Sequence, residues 1–438
     1  MAKSATSKVS AKKLTSTQKK ALKKLKSFIK SKSSFFRLSG YAGTGKSWLI
    51  CHFIQWLSQQ NLEFVAAAPT NKAAKNLMQV AMSMDISLEV KTIAQLLGQQ
   101  PEMNQETGVE EFTSMMEAEF DDYEVIIIDE FSMINRSNFE EIVNAIALTI
   151  DTKIIFVGDE SQLPPVKEDN PIVAVSEHIE ITARLDEIVR YDGELAIVAE
   201  KIRSDAQYNQ KIYPFETSKD QTIICQPRKQ WLETIVEYFK SENYQSNPDY
   251  ARLLVWRNKT AQLANNFVRS RLWGKEAPVY VPGDRLIARK PLFRPRPGQK
   301  GKNKWGVLLN NSEECSVIEP PYIKDSSFDK TPYQSWVVPV MMDAGFEVNL
   351  SILTEESEEI KNEQLKSYVE KKQWNKYFDL SRIFDDVTYA YGLTIHKAQG
   401  SGIDYVFLDT EDLQYCPDLQ KILYTALTRA KIRAFIPE

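Results

Sequence analysis

The sequence predicts an α/β fold built on doubly wound parallel sheets. Short apolar runs at 35–38, 64–68, 125–128 and 154–157 have the length and composition of strands buried on both faces. Helical patterns lie between the first two and again at 72–82. A Lys-rich helix is expected before them at 16–30, with Ala21, Leu22, Leu25, Phe28 and Ile29 as its buried stripe. Alternation of strand and helix is the pattern of an α/β layer architecture.

The later elements follow the same logic. A second α/β block is predicted from a helix at 231–239, a strand at 252–255, a helix at 258–271, a strand at 405–408 and a helix at 419–428. Between 279 and 386 the texture changes. Short β-like runs at 285–288, 315–318 and 335–340 predict a small barrel, and a charged helical stretch follows at 354–378. This region reads as an insertion into the second block. The polar, acidic segment 98–122 reads as a smaller insertion into the first. Residues 1–13 read as a flexible tail.

Composition narrows the class. A chain of 438 residues favours two to four domains. The apolar share of 43% and charged share of 26% are ordinary for a soluble globular protein. No stretch approaches the roughly 20 apolar residues of a membrane span, and the N-terminus has no apolar core of the signal-peptide kind. A cytoplasmic location is expected. Cys51, Cys225, Cys315 and Cys416 are scattered, and the histidines are His52, His178 and His396 alone. That supply argues against a zinc site and for a reducing compartment. The net charge of −4 argues against a generally basic coat, yet residues 1–62 hold thirteen Lys and Arg and no acid. Such asymmetry marks either a basic arm that meets phosphates or a solvated tail, with a transit peptide as a third reading.

The chemistry concentrates in three segments. Gly40-Tyr41-Ala42-Gly43-Thr44-Gly45-Lys46-Ser47 fits G-x-x-x-x-G-K-[ST] between a predicted strand and helix. Its glycines let backbone N–H groups curl around phosphate oxygens, and the helix N-terminus adds its positive end. Lys46 reaches the β- and γ-phosphates and Ser47 ligates Mg²⁺ in that pattern. Downstream, an apolar strand ends in Asp129-Glu130. Asp129 would hold Mg²⁺ while Glu130 orients and activates water. A third strand ends in Gly158-Asp159-Glu160-Ser161-Gln162, where Gln162 is placed to sense a γ-phosphate. ATP and Mg²⁺ are the expected cofactors.

The ordered set of segments resembles the superfamily 1 helicases, in the RecD/Dda-like branch. Leu14-Thr15-Ser16-Thr17-Gln18 looks like the family's adenine-reading segment, with Gln18 as reader. Pro69-Thr70-Asn71, Lys91-Thr92, Thr394-Ile395-His396 and Asn258-Lys259 match segments that meet the tracked strand. The resemblance further implies that Arg190 and Arg429 reach the γ-phosphate, and that Gly400 lies in a nucleotide-facing segment. Cofactor contacts are expected from Gln18, Gly40, Ala42, Gly43, Thr44, Gly45, Lys46, Ser47 and Gly400.

By that resemblance the fold is two RecA-like P-loop NTPase domains. The first comprises 14–97 and 123–190, with a β-hairpin pin at 98–122 and Phe112 near its tip. The second comprises 191–278 and 387–438, with an SH3-like barrel and helical tower at 279–386. His396 is expected at the start of a helix. Trp256 reads equally as a base-stacking platform or a core residue. The run of bases from Arg285 to Lys304 reads equally as an electrostatic rail or a loop.

The implied activity is an ATP-dependent DNA helicase that translocates 5′ to 3′ on single-stranded DNA. Its expected partners are single strands and single/double-strand junctions, with single-strand-binding or replisome proteins besides. It is expected to be monomeric and to bind no membrane. The competing readings are a helicase subunit of a recombination nuclease and an ATP-dependent clamp that does not unwind.

Overall fold

The computed structural model describes residues 13–103, 110–114, 119–189, 193–247, 249–298, 305–343, 345–414 and 416–438, with backbone alone at 100–103 and 110–114. The chain divides into two compact units, residues 1–97 with 117–192, and residues 98–116 with 193–438.

In the first unit, helix α1 (Ser16–Ile29) precedes β1 (Phe35–Gly40), α2 (Lys46–Gln59), β2 (Phe64–Ala68), α3 (Asn71–Met82), β3 (Val90–Thr92) and the short α4 (Ile93–Leu96). A hairpin of β4 (Gln99–Met103) and β5 (Glu110–Ser114) interrupts this order. The first unit then resumes with β6 (Val125–Ile128), α5 (Arg136–Leu148), β7 (Lys153–Gly158), α6 (Ile172–Val175) and β8 (Ile181–Leu185). Six strands form one parallel sheet in the order β3-β2-β6-β7-β1-β8.

Strand residues alternate between two cores, as the period of two requires. Phe36, Leu38, Ala66, Ile127, Ile155 and Val157 pack with Leu25, Phe28, Leu49 and Phe53 of α1 and α2. Phe35, Val65, Ile126, Ile128, Ile154 and Phe156 pack with Phe139 and Ile142 of α5. Helices on both faces explain why these strands are apolar throughout.

The second unit opens with α7 (Glu194–Ser204), β9 (Ile223–Gln226), α8 (Arg228–Lys240), α9 (Glu242–Ser246), β10 (Ala251–Val255) and α10 (Asn258–Trp273). An antiparallel body follows: β11 (Arg285–Ala288), β12 (Leu292–Pro295), β13 (Trp305–Leu309), β14 (Glu314–Val317), β15 (Tyr322–Phe328), β16 (Thr331–Met342) and β17 (Glu347–Leu353). Helices α11 (Glu355–Glu370) and α12 (Trp374–Ile383) come next, and β18 (Val387–Tyr389) returns to pair with β11. The curled antiparallel sheet therefore takes in residues beyond position 386. The chain ends with β19 (Gly392–Thr394), β20 (Ile403–Leu408), α13 (Thr410–Leu413), α14 (Leu419–Leu427) and β21 (Ala430–Pro437). Strands β19-β10-β20-β21-β9 form a second parallel sheet.

One buried charge cluster ties the parallel sheet of this unit to the antiparallel one. Arg252 on β10 is fully buried and donates to the Glu314 carboxylate on β14, as does Arg285 on β11 through Nε at 3.0 Å. Arg285 also donates to Asp343 and Ser316. The basic stretch is thus no uniform rail. Arg285 is buried, Arg294 holds Asp385 through two bonds of 2.8 and 2.7 Å, and Trp305 donates its indole N–H to Asp379. Phe293 is buried. Residues 299–304 lie outside the described residues.

Removing one partner of a buried charge cluster leaves the others uncompensated, at a cost of about 3–5 kcal/mol. Glu314→Ala should therefore lower the urea midpoint of the second unit sharply by circular dichroism, and Glu314→Gln should lower it less. An unchanged midpoint in the alanine variant would mean the cluster does not hold the two sheets together.

Candidate active site

Every strand of the first sheet runs in one direction, so the loops after β1, β2, β3, β6, β7 and β8 gather along one edge. That is where α/β sheets bind ligands. The loop 40–47 turns there through Gly43 and Gly45, at φ of 80° and 76°, which L side chains rarely adopt. Lys46 folds back to donate to the Gly40 and Tyr41 carbonyls at 2.8 and 3.1 Å. Thr44 caps the turn through its hydroxyl to Tyr41 O at 2.8 Å. Ser47 lies half-buried in the first turn of α2.

Three distant groups tether this loop. Gln18 Nε2 donates to Thr44 O at 3.0 Å. Asp159, fully buried, accepts the Ala42 N–H through Oδ2 at 3.0 Å and the Ser161 N–H through Oδ1 at 2.9 Å. Val189 N–H donates to Gly43 O at 2.9 Å. Gln18 is also engaged at its amide oxygen, which accepts the Thr15 N–H at 3.0 Å in a capping box. One amide hydrogen is left for any base it reads. Composition gives no hint of Asp159 or Val189 as tethers, since both partnerships are set by which strands flank β1.

The two acids after β6 differ in environment. Asp129 is buried and accepts the Glu130 N–H at 2.9 Å. Burial pushes its carboxyl pKa up, the Glu130 carboxylate adds to this, and Lys46 opposes it. Glu130 sits at φ 54°, a left-handed conformation that costs a non-glycine residue of order 1–3 kcal/mol. Its Oε2 is buried without a hydrogen-bond partner among the described residues. So is Oε1 of Gln162, which is 2% exposed. Gly158 makes this packing possible: a Cβ there would lie 2.7–2.8 Å from the Phe131 ring and backbone N.

The remaining first-unit residues lie on the same edge. Pro69, Thr70, Asn71 and Thr92 are half-buried, and β2 and β3 are neighbours with Ala68 opposite Thr92. Thr70 and Thr92 cap α3 and α4, their hydroxyl oxygens accepting from Ala73 and Gln95 N–H. Each hydroxyl hydrogen remains available to a phosphate. Arg190 lies outside the described residues.

In the second unit, Asn258 and Lys259 are exposed at the start of α10. A residue not singled out from sequence organises them. Asp412 accepts from Trp256 N, Arg257 N, Arg257 Nε and Thr260 Oγ1 at 2.6–2.9 Å. Thr394 is buried at the end of β19. His396 follows in consecutive turns spanning 395–400, which replace the helix expected there. Burial lowers the His396 pKa. Gly400 stands in that segment at φ 71°. Arg429 is buried and donates to the carbonyls of Thr425 and Ser401 at 3.1 and 3.3 Å. Phe112 pairs with Pro101 within the hairpin ladder, while Met103 and Glu110 pair nearer the turn, so its backbone is not at the tip.

Comparisons with known proteins bear on both units. A family model described as an AAA domain matches residues 13–218, and one described as a UvrD-like helicase C-terminal domain matches 389–436. The chain is similar to the ATP-dependent DNA helicase dda of Enterobacteria phage T4, at 25% identity over 96% of this chain and 98% of that protein. It is similar to the RecBCD enzyme subunit RecD of Buchnera aphidicola, at 22% identity over 95% of this chain and 72% of that one. Its fold resembles that of a Bacteroides Pif1 helicase solved with ADP-AlF3 and ssDNA, with a TM-score of 0.51, 16% identity, and coverage of 95% and 91%.

The raised Asp129 pKa has a definite sign. A carboxyl whose folded pKa lies above its unfolded value favours folding fully only at low pH, and that advantage is lost as pH rises through the folded pKa. Each unit of displacement is worth about 1.4 kcal/mol. Asp129→Asn should therefore raise the urea midpoint in EDTA at pH 8 and change it little at pH 4. Equal midpoints at pH 8 would mean the carboxylate is not strained by burial.

Proposed function

We infer that this chain, which belongs with the superfamily 1 helicases, is an ATP-dependent DNA helicase, and we propose that it travels 5′ to 3′ on single-stranded DNA as a monomer. The reading of the hydrolytic site rests above all on Glu130. A strained backbone and a buried, unpartnered carboxylate oxygen are costly. They are reasonable together where that oxygen has a task, here to accept a proton from the attacking water.

The residues present fit a nucleoside triphosphate with Mg²⁺. Left-handed glycines expose N–H groups around the 40–47 loop, and Lys46 moves from its own loop carbonyls to the phosphates. Ser47 and Asp129 are proposed to hold the metal. Bound there, Mg²⁺ would neutralise charge on the phosphate oxygens. Gln162 is proposed to hold the attacking water or a γ-phosphate oxygen. Arg190 directly follows Val189, whose N–H is bonded to Gly43, and this supports a γ-phosphate role for it. Arg429 is proposed as a second such arginine.

The DNA track is proposed to involve Pro69, Thr70, Asn71 and Thr92, with Asn258, Lys259, Thr394 and His396. Hydroxyl, amide and ammonium donors suit the phosphate backbone and read no sequence. The hairpin β4–β5 is proposed as the duplex-splitting pin.

Three measurements test this. Lys46→Ala should lower DNA-stimulated phosphate release by at least about 100-fold, in the range seen for loss of one key donor to a transition state. Glu130→Gln should bind ATP yet not turn it over. Duplexes with a 5′ single-stranded tail should be unwound and those with a 3′ tail should not. Full activity in the lysine variant would refute the site. Unwinding from the 3′ tail alone would reverse the polarity, and none from either tail would favour a clamp.

A further inference from the structure

Helix α1 carries a charge pattern that its own fold does not explain. Lys19, Lys20, Lys23, Lys24 and Lys30 are all exposed, and no acidic residue lies anywhere in the helix. Lys19 with Lys23 and Lys20 with Lys24 are like-charge neighbours one turn apart, an arrangement that destabilises a helix. The helix's own first turn holds no acid, though the Glu187 carboxylate meets it there by accepting the Thr17 hydroxyl at 3.2 Å. Among the described residues no carboxylate forms an ion pair with any of the five. Lys24 donates to the Thr182 carbonyl at 3.3 Å, which leaves its charge unmatched. Helix stability comes instead from the opposite face, where Gln18, Ala21, Leu25 and Phe28 are buried. A local rule broken without internal compensation points to a task outside the fold.

Position and chemistry identify the partner. Helix α1 packs on β8 and β1, at the opposite end of the sheet from β2, which leads into Thr70, and β3, which ends at Thr92. A single strand lying over those threonines would leave α1 uncovered. The lysine face spans about 16 Å from Lys19 to Lys30 at the helical rise per residue. No large apolar side chain of α1 is exposed. It therefore offers no anchor for a protein interface and no apolar face for lipid. It also has no exposed aromatic ring, the platform on which single strands stack. What remains is a face of ammonium groups spaced along one helix, suited to the phosphates of a double helix.

We propose that the lysine face of α1 is a second nucleic-acid site, for the backbone of duplex DNA, separate from the single-strand track. This rests on the helicase reading for its biological sense, but not for its test. The variant is the full chain with Lys19→Ala, Lys20→Ala, Lys23→Ala and Lys24→Ala. Alanine is the best helix former and the change removes two repulsive pairs, so the fold should be kept and the thermal midpoint should not fall.

The probes are a blunt duplex, oligothymidylate and phosphatidylserine vesicles, each without nucleotide, over a series of salt concentrations. Blunt-duplex affinity at low salt should fall at least tenfold. The slope of log affinity against log salt should shrink by about 0.9 for each phosphate no longer neutralised, so by up to about 3.6. Oligothymidylate affinity and oligothymidylate-stimulated ATP turnover should be unchanged. An unaltered duplex affinity and slope would overturn the proposal. So would an equal fall in duplex and oligothymidylate binding, which would assign the lysines to the common track. A fall in vesicle binding alone would assign them to a lipid surface. If the variant bound duplex more weakly while the parent chain had no DNA-stimulated ATPase, the motor reading would fail and the duplex site would stand.

Discussion

The working edge of the first unit depends on a glycine-rich loop held both by its own bonds and by tethers from outside it. Gly43 and Gly45 give the loop its left-handed turns, and the same freedom makes it costly to order. The outside tethers come from Gln18, Asp159 and Val189. The sheet order makes this possible. Strand β1 lies between β7 and β8, so the loops that follow those two strands fall on either side of the loop that follows β1. Helix α1 adds the third tether from its capping box. Crossover connections that seem indirect along the chain are what bring a carboxylate 117 residues away to Ala42.

The same use of acids recurs in the second unit. Asp412 fixes the backbone that leads into α10, and Glu314 joins two buried arginines across two sheets. Asp385 holds Arg294, and Asp284 accepts from Tyr391. Asp284, Glu314, Asp385 and Asp412 are buried, each against an arginine. Net charge counts buried and exposed groups alike, whereas a phosphate backbone meets only the exposed ones.

The parallel strands and most helices were legible because burial on two faces leaves a dense apolar signature. The nucleotide loop and the Asp129-Glu130 pair were legible because their chemistry demands fixed neighbours in sequence. Asp159 and Asp412 were not, since a carboxylate's partner depends on which strands come together in space. The segment 395–400 misled because its composition suits a helix, while the chain there makes tight turns held by Thr394 O and Ile395 O. The run from Arg285 misled in the opposite sense. Arg285 lies on β11 and turns inward to Glu314, whereas Arg289 lies beyond the end of that strand and stays exposed. Sequence also cannot separate a basic helix face that is merely solvated from one with a partner. Among the described residues no carboxylate forms an ion pair with the exposed lysines of α1, and the proposed duplex site rests on that.

Arg429 joins the last two themes. Its guanidinium rests on the carbonyls of Thr425 and Ser401, and its own carbonyl accepts the Ile403 N–H at 2.9 Å. Ser401 closes the turn segment that begins at Thr394 and carries His396. Drawing the guanidinium away would take that donor from the buried Ser401 carbonyl, at about 1–3 kcal/mol, while the Thr425 carbonyl keeps the Thr428 hydroxyl at 3.0 Å. A phosphate oxygen could offset that cost, because hydrogen bonds to charged groups are worth about 1.5–3 kcal/mol. Such a shift requires a ligand that interacts more strongly with the displaced arrangement than with the resting one. A change at the arginine would also be felt at the turn through Ser401. A contact that looks like a resting place thus links the residue read as a phosphate sensor to the residues read as strand contacts, through one carbonyl.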